Sequence, residues 1–178
     1  MAQYSGYVSV PFNTYDDFKN AVNGNSYDVD YVASYQCVDL VKLLNYNLGY
    51  GTPYWSTGGV GTAWGGWAIE TAREFNAGNS YTLVTRVEDI KRGDMIVYNN
   101  YIGNPYGHVG FADEDYNGTY NLRILSQNNG STAVNVANYN LIYFMGAFRL
   151  DAWQESPEPS YAQSKFKWVL YARRLRHQ

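Results

Sequence analysis

The spacing of apolar residues changes once along this chain, from helical spacing before residue 80 to alternation after it. Before the change, the spacing predicts helices over residues 12–22, from Cys37 to Leu48 and near 63–76. After the change, alternation between turn signals predicts strands at residues 94–98, 107–113, 121–127, 133–138 and 142–150. Helices that precede a run of strands are typical of an α+β domain, so we predict N-terminal helices packed on an antiparallel sheet.

Charge and cysteine content exclude several kinds of partner and site. The 178 residues include 13 basic and 16 acidic side chains, and such a chain lacks the basic stripe that nucleic-acid binding requires. A single cysteine excludes an internal disulfide and any metal site with several cysteine ligands. The sequence shows no leader with a basic and an apolar region and no run of about 18 apolar residues. We therefore expect synthesis in the cytoplasm without a signal peptide, and no transmembrane segment.

The C-terminal end differs in composition from the rest of the chain. Residues 1–151 carry the predicted helices and strands, and residues 152–161, with two prolines, are predicted to be a linker. Residues 162–178 hold five of the 13 basic residues together with aromatic ones. This basic tail predicts either an amphipathic helix that docks on an anionic polymer or membrane, or a last strand of the sheet, because part of it also alternates.

Cys37 lies at the start of the second predicted helix, in the run Tyr-Gln-Cys-Val-Asp-Leu. The N–H groups and the positive end of a helix N-terminus favour the thiolate and predict a pKa below that of a free cysteine. A lone cysteine also fits a small buried hydrophobic residue, so a nucleophile hypothesis needs a base as well. His108 opens a predicted strand, and the next strand ends in a polar run from which Asn128 could hold the imidazole. Gln36 could donate to an oxyanion.

Four motifs occur in the order and spacing of one known family. They are the run around Cys37, Arg-Gly-Asp-Met-Ile-Val at 92–97, Tyr-Gly-His-Val-Gly-Phe at 106–111 and Ser-Gln-Asn at 126–128. Over residues 12–150 the chain resembles the CHAP (cysteine, histidine-dependent amidohydrolase/peptidase) family. The resemblance implies a papain-like α+β fold and a hydrolase that cleaves amide bonds of bacterial peptidoglycan through a cysteine acyl-enzyme.

The resemblance also implies a role for each residue of the motifs. Cys37 would be the nucleophile, His108 the base and then the acid for the leaving amine, and Asn128 the residue that orients the imidazole. The N–H of Cys37 and the side chain of Gln36 would stabilise the oxyanion. Many relatives carry glutamate where Ser126 stands, so we expect this chain to use a Cys-His-Asn arrangement, with Ser126 as a strand cap in the alternative.

An acidic loop precedes the proposed nucleophile. Asp28 and Asp30 stand two residues apart, Val32 and Ser34 continue the alternation with backbone carbonyls, and Asp39 follows eleven residues after Asp28. A standard EF-hand is excluded, because the sixth position is alanine and the twelfth is aspartate. From the residues alone, turn residues and a first-turn helix carboxylate are the more ordinary interpretation. The CHAP resemblance implies instead a structural Ca²⁺ ion held by these five residues.

Aromatic side chains are concentrated in the loops that flank the motifs. The chain has 19 tyrosines and five tryptophans, and Trp55, Trp64 and Tyr106 are candidates for lining a groove that holds a glycan or stem peptide. Packing of the core is the alternative role for such rings.

These expectations combine into one function with two alternatives. The chain is expected to be a phage endolysin or virion-associated lysin that reaches the wall after release and has an antimicrobial effect. It would act as an N-acetylmuramoyl-L-alanine amidase or a D-alanyl-glycyl endopeptidase, and its basic tail could contact wall polymers. The first alternative is a catalytically weak or inactive wall-binding or assembly module on the same fold. The second is hydrolysis of another amide, such as a glutathionylspermidine-type conjugate.

Overall fold

A computed structural model of the protein describes residues 12–29, 31, 34–49, 81–99 and 107–153. In these ranges the first two elements are helices, α1 (Tyr15–Val22) and α2 (Cys37–Asn47). The strands that follow are β1 (Tyr81–Val84), β2 (Met95–Tyr98), β3 (His108–Ala112), β4 (Asn121–Ser126), β5 (Asn135–Asn140) and β6 (Phe144–Leu150). The α+β prediction, with helices before strands, is therefore confirmed.

The strands form one sheet in the order β1-β6-β2-β3-β4-β5, and neighbouring strands run antiparallel. From β2 to β5 each strand lies beside the next one in the chain. The last strand, β6, inserts between β1 and β2, pairing Leu150 with Tyr81 and Phe148 with Met95. This insertion places β6 one strand in from the β1 edge of the sheet.

Side chains of the sheet alternate between two apolar faces. On one face Val97, Val109, Phe111 and Leu125 pack with the apolar residues of α1 and α2. The opposite face carries a second cluster that includes the residues Ile96, Tyr98, Ala112, Leu122, Ile124 and Ala147. In the described part of the chain, the helices therefore cover one face of the sheet only.

Local hydrogen bonds explain where both helices begin. At α1, Thr14 and Asp17 form a capping box, in which the Thr14 hydroxyl accepts from the Asp17 N–H at 3.1 Å and the Asp17 carboxylate accepts from the Thr14 N–H. At α2, the Asp39 carboxylate accepts from the N–H of Gln36 at 2.8 Å. A carboxylate in the first turn also suits the positive end of the helix. The predicted helix start at Cys37 is confirmed.

Two parts of the fold differ from the sequence-based expectation. The strand β1 was not predicted, although it pairs along its whole length with β6. Trp153 lies beyond the predicted domain boundary at residue 151, yet its ring packs on Phe18 and its indole N–H donates to the carbonyl of Phe12 at 2.9 Å. The folded body therefore reaches at least Trp153. The predicted helix at 63–76, most of the predicted linker and the tail at 162–178 lie outside the described residues.

Within the described ranges, no helix combines the length and the apolar character that crossing a bilayer requires.

Candidate active site

Cys37 is the first residue of α2, and its sulfur lies against the start of β3. The N–H of Val109, the residue after His108, donates a hydrogen bond to this sulfur. The neighbouring strand β4 pairs with β3 further along, at Phe111 and Ala112. Cys37 therefore lies beside the first residues of β3, where the Val109 N–H donates to the sulfur. This contact joins the motif around Cys37 to the motif that contains His108.

The thiol of Cys37 is held in its neutral form. Burial raises its pKa to about 11, and the negative charge of Asp39 adds to that effect. The N–H groups of Val109, Val38 and Cys37 itself lower the pKa, as expected for a helix N-terminus, but burial outweighs them. The prediction of a depressed thiol pKa, made from the helix start alone, was therefore wrong in its net direction.

His108 is 4% exposed and lies on the face of the sheet opposite the helices. Its Nε2 atom is 3.0 Å from the hydroxyl of Tyr139, and the two rings stack with centroids 5.0 Å apart and planes inclined by 5°. Tyr98, its partner across β2 and β3, lies near both rings, with its centroid 6.4 Å from that of His108 and 5.6 Å from that of Tyr139. Burial lowers the pKa of the His108 imidazole to about 4, so the ring is neutral at pH 7.

Asn128 and Ser126 lie near His108 in different settings. Asn128 is exposed, has a left-handed backbone (φ 61°) and lines a cleft of about 600 Å³ together with His108 and Tyr139. In the described part of the chain, the hydrogen bond at His108 Nε2 goes to Tyr139 and not to Asn128. Ser126 is fully buried, and its Oγ accepts from Asn129 Nδ2 at 3.0 Å and lies 3.5 Å from the Tyr139 hydroxyl. The role predicted for Asn128 stays a prediction.

Gln127 is a supporting residue that the sequence did not single out. Its buried amide accepts from the N–H of Tyr27 at 2.8 Å, and it donates to the carbonyls of Tyr27 at 2.7 Å and Gln36 at 2.9 Å. One side chain thus holds both ends of the acidic loop and the residue that precedes Cys37. The signal that could have found it is its place between Ser126 and Asn128, at the end of the strand next to His108. The oxyanion role of the Gln36 side chain stays a prediction.

The acidic loop is described in part, and one of its carboxylates has an oxygen that could bind a cation. Asp28 has one buried side-chain oxygen, Oδ1, without a hydrogen-bond partner. Asp39 is fully buried, and its carboxylate accepts from the N–H groups of Val29 and Gln36 at 3.2 and 2.8 Å. An orphaned buried carboxylate oxygen is costly unless another group binds it, and oxygen ligands are those that Ca²⁺ takes. The described residues alone contain no group of three or more acidic, histidine or cysteine side chains placed to hold a metal, so the calcium site stays a prediction.

The remaining predicted ligands are placed only in part. Ser34 is exposed and has a left-handed backbone (φ 62°), as has Tyr31 (φ 58°), so the loop turns sharply at both residues. Asp30 and Val32 lie outside the described residues. The same holds for the predicted substrate-binding residues, Trp55, Trp64 and Tyr106.

The match to a family model decides the family. Residues 25–128, more than half of the chain, match the model of the CHAP domain. The chain belongs to the CHAP family. The matched range begins before the acidic loop and ends at Asn128, so it includes Cys37 and His108.

Two proteins show how this CHAP chain compares with characterised relatives. It is 34% identical over 130 residues to a protein of Streptococcus phage B30 named D-alanyl-L-alanine endopeptidase. That match covers 72% of this chain but only 27% of the relative. The crystal structure of a wild-type endolysin, LysIME-EF1, superposes with a TM-score of 0.55 at 18% identity, covering 80% of this chain and 66% of the endolysin. The second match supports the fold, and this chain spans less than two thirds of either protein.

Proposed function

We propose that the chain is a peptidoglycan hydrolase that cleaves an amide bond of the bacterial cell wall through an acyl-enzyme on Cys37. The observation that carries the proposal is the hydrogen bond from the Val109 N–H to the Cys37 sulfur, next to His108, in a CHAP domain. A thiol at a helix start, next to a strand that begins with histidine, has the residue types that nucleophilic catalysis uses. The phage relative and the endolysin neighbour point to the cell wall as the substrate.

The first step starts from a neutral thiol and a neutral imidazole. His108 takes the proton of the Cys37 thiol as the sulfur attacks the carbonyl carbon of the amide. The N–H of Cys37 and the side chain of Gln36 stabilise the oxyanion of the tetrahedral intermediate. The imidazolium of His108 then protonates the leaving amine, which leaves a thioester on Cys37. His108 finally removes a proton from a water molecule that hydrolyses the thioester and restores the thiol.

The class of bond comes from the phage relative, whose name describes an endopeptidase that acts at a D-alanyl residue. We propose a peptide bond after D-alanine as the first candidate, with the N-acetylmuramoyl-L-alanine amide as the second. Purified Gram-positive peptidoglycan is incubated with the protein, and released fragments are analysed by mass spectrometry. A new amino terminus on the cross-bridge, with the stem peptide still attached to N-acetylmuramic acid, identifies an endopeptidase, whereas stem peptides released from N-acetylmuramic acid identify an amidase.

The matched control for this experiment is Cys37→Ala. Because Cys37 is the only cysteine of the chain, no other thiol can substitute for it. We expect fragment release to fall to background in Cys37→Ala while sedimentation with the wall is retained. Wall binding without fragment release by the wild-type protein would contradict the proposal and favour a non-catalytic wall-binding module.

We propose a structural calcium ion in the acidic loop, held by Asp28, Asp30, Ser34, Asp39 and the carbonyl of Val32. The unpartnered Asp28 oxygen supports this proposal. A bound ion would offset the charge of Asp39, which raises the Cys37 pKa. The N–H groups of Val29 and Gln36 hold the Asp39 carboxylate in place with or without an ion.

Calcium binding is tested by thermal unfolding of the stripped protein. We expect 1 mM CaCl₂ to raise the unfolding temperature, since a ligand that binds only the folded state stabilises it by about 2.7 kcal/mol at one hundred times its dissociation constant. Asp28→Asn should remove most of this rise. Asp16→Asn, an exposed aspartate on α1, is the matched control and should keep it. An equal rise in wild type and Asp28→Asn would contradict the assignment.

The cellular setting is proposed from the same relatives. We propose that the protein acts on the wall after release from the cell or from a virion, and that added protein lyses Gram-positive cells. Contact between the tail at 162–178 and wall polymers is a separate proposal. Deleting residues 162–178 and comparing wall binding with lysis tests it, and an unchanged binding curve would rule it out.

A further inference from the structure

We propose that Tyr139 is the positioning residue for His108, and that its hydroxyl accepts a hydrogen bond from the Nε2–H group. This inference rests on the proposed function, because it assigns a role in the same reaction. The hydroxyl is 3.0 Å from Nε2, and the two rings lie nearly parallel. Stacking fixes the orientation of the imidazole plane, and the hydrogen bond fixes the position of Nε2 within that plane.

The hydrogen bond selects one tautomer of the neutral ring. An imidazole has one N–H donor and one acceptor nitrogen, and the partner of one nitrogen determines the state of the other. If Nε2–H donates to Tyr139, the lone pair lies on Nδ1. Under the proposed function, this lone pair would take the thiol proton of Cys37.

Buried groups behind Tyr139 support the acceptor role of its hydroxyl. Ser126 Oγ is 3.5 Å from the Tyr139 oxygen, and Asn129 Nδ2 donates to Ser126 at 3.0 Å and to Asn135 at 2.9 Å. Ser126 Oγ donates to the Tyr139 oxygen, which has a second lone pair that can accept from Nε2–H. A connected set of hydrogen bonds therefore reaches from β4 and the loop after it to the imidazole.

Tyr139 reaches the imidazole from β5, and Ser126 of β4 contacts the Tyr139 hydroxyl. A phenolic oxygen holds the ring by a neutral hydrogen bond, without adding a negative charge next to it.

Tyr139→Phe tests the proposal because it removes the hydroxyl and keeps the ring. We expect kcat for fragment release to fall about 10- to 100-fold with KM unchanged, because the tyrosine acts on the imidazole and not on the substrate. Tyr120→Phe, which removes an exposed hydroxyl just before β4, is the matched control and should keep the wild-type kcat. Thermal unfolding of each variant shows that the fold is retained.

The deciding measurement is the tautomer of His108, read by ¹⁵N NMR of histidine-labelled protein at pH 7. The chain has two histidines, so His177→Gln assigns the signals. We expect a protonated Nε2 and an unprotonated Nδ1 in the wild type, and a mixture of tautomers in Tyr139→Phe.

Three outcomes would overturn the proposal: a wild-type ring protonated at Nδ1, the same tautomer in both proteins, or an unchanged kcat in Tyr139→Phe. The NMR result does not depend on activity. If the wild-type protein releases no fragments, the proposed function fails, while the tautomers still show whether Tyr139 sets the state of the ring.

Discussion

At Cys37 two opposing effects act on one thiol, and burial is the larger. The helix N-terminus and the Val109 N–H favour the thiolate, yet the pKa rises to about 11. Burial also lowers the pKa of His108 to about 4, so it favours the neutral thiol and the neutral imidazole. Under the proposed function, the imidazole would act as a general base during attack.

The raised thiol pKa predicts slow alkylation of Cys37 at neutral pH. A pKa of about 11 in place of 9.0 leaves about 100-fold less thiolate at pH 8, because each pKa unit changes that fraction tenfold. The rate of reaction with iodoacetamide, measured in a chelator, should rise with pH up to about 11. The same protein unfolded in urea is the control and should reach half of its maximal rate near pH 9. A rate in the folded protein that is already maximal at pH 7 would show a stable thiolate.

At the level of single elements, β3 and β4 approach closely at Gly110. A Cβ atom at this position would lie 2.5 Å from Ile124 Cγ2 and 2.9 Å from Ser126 Cβ. Both contacts come from β4, which carries the residues behind Tyr139. Glycine at 110 therefore sets the distance between the strand of His108 and the strand of Ser126.

Gly110→Ala should destabilise the protein by about 2 kcal/mol, since overpacking a tight core typically costs 1–3 kcal/mol. Urea unfolding at constant slope measures the change. Gly118→Ala is a useful comparison, because it has open space around the Cβ but a left-handed backbone (φ 84°). Its cost should be about 1 kcal/mol. Equal losses in the two variants would contradict a steric role for Gly110.

The elements that the sequence predicts are those with local signals. The start of α2 follows from the apolar spacing after Cys37 and from Asp39 in the first turn. The predicted strands agree with β2 to β6 apart from their ends. The strand β1 has four residues, too few for alternation to stand out. Its pairing partner, β6, lies more than 60 residues further along the chain, so no local pattern indicates that neighbour.

The candidate site shows the same division between local and non-local signals. Cys37 and His108 stand in motifs that can be recognised along the chain. Tyr139 lies 31 residues after His108, and in a chain with 19 tyrosines its residue type carries no distinguishing signal. Gln127 binds Tyr27, which is 100 residues away. Such partners are set by the order of the strands and become visible only in the folded chain.

On the scale of the whole molecule, a buried ion pair joins segments 55 residues apart. Asp94 of the Arg-Gly-Asp motif precedes β2, and Arg149 lies near the end of β6. Arg149 donates from Nε and from its terminal nitrogen to the two Asp94 oxygens at 2.8 and 2.7 Å. The Asp94 side chain is 1% exposed, and the N–H of Lys91 also donates to it. The motif thus holds the inserted strand β6 in the sheet.

Arg149→Met should cost about 3 kcal/mol of unfolding free energy, because it leaves a buried carboxylate without its cation. The double variant Asp94→Asn/Arg149→Met should recover most of that loss, since it removes the unpaired charge as well. Urea unfolding of the two single variants and the double variant forms the required cycle. Additive losses in the double variant would show that the two side chains do not depend on each other.

The clasp that Gln127 forms at the base of the acidic loop has a consequence for protein engineering. Because one amide holds both Tyr27 and Gln36, the length of chain between them is decoupled from the position of Cys37. Closing a slightly longer loop costs little, as each doubling of loop length adds only about 0.6 kcal/mol. A foreign peptide inserted between these anchors should leave the start of α2 in place, while separating Asp28 from Asp39 and so removing the proposed calcium site.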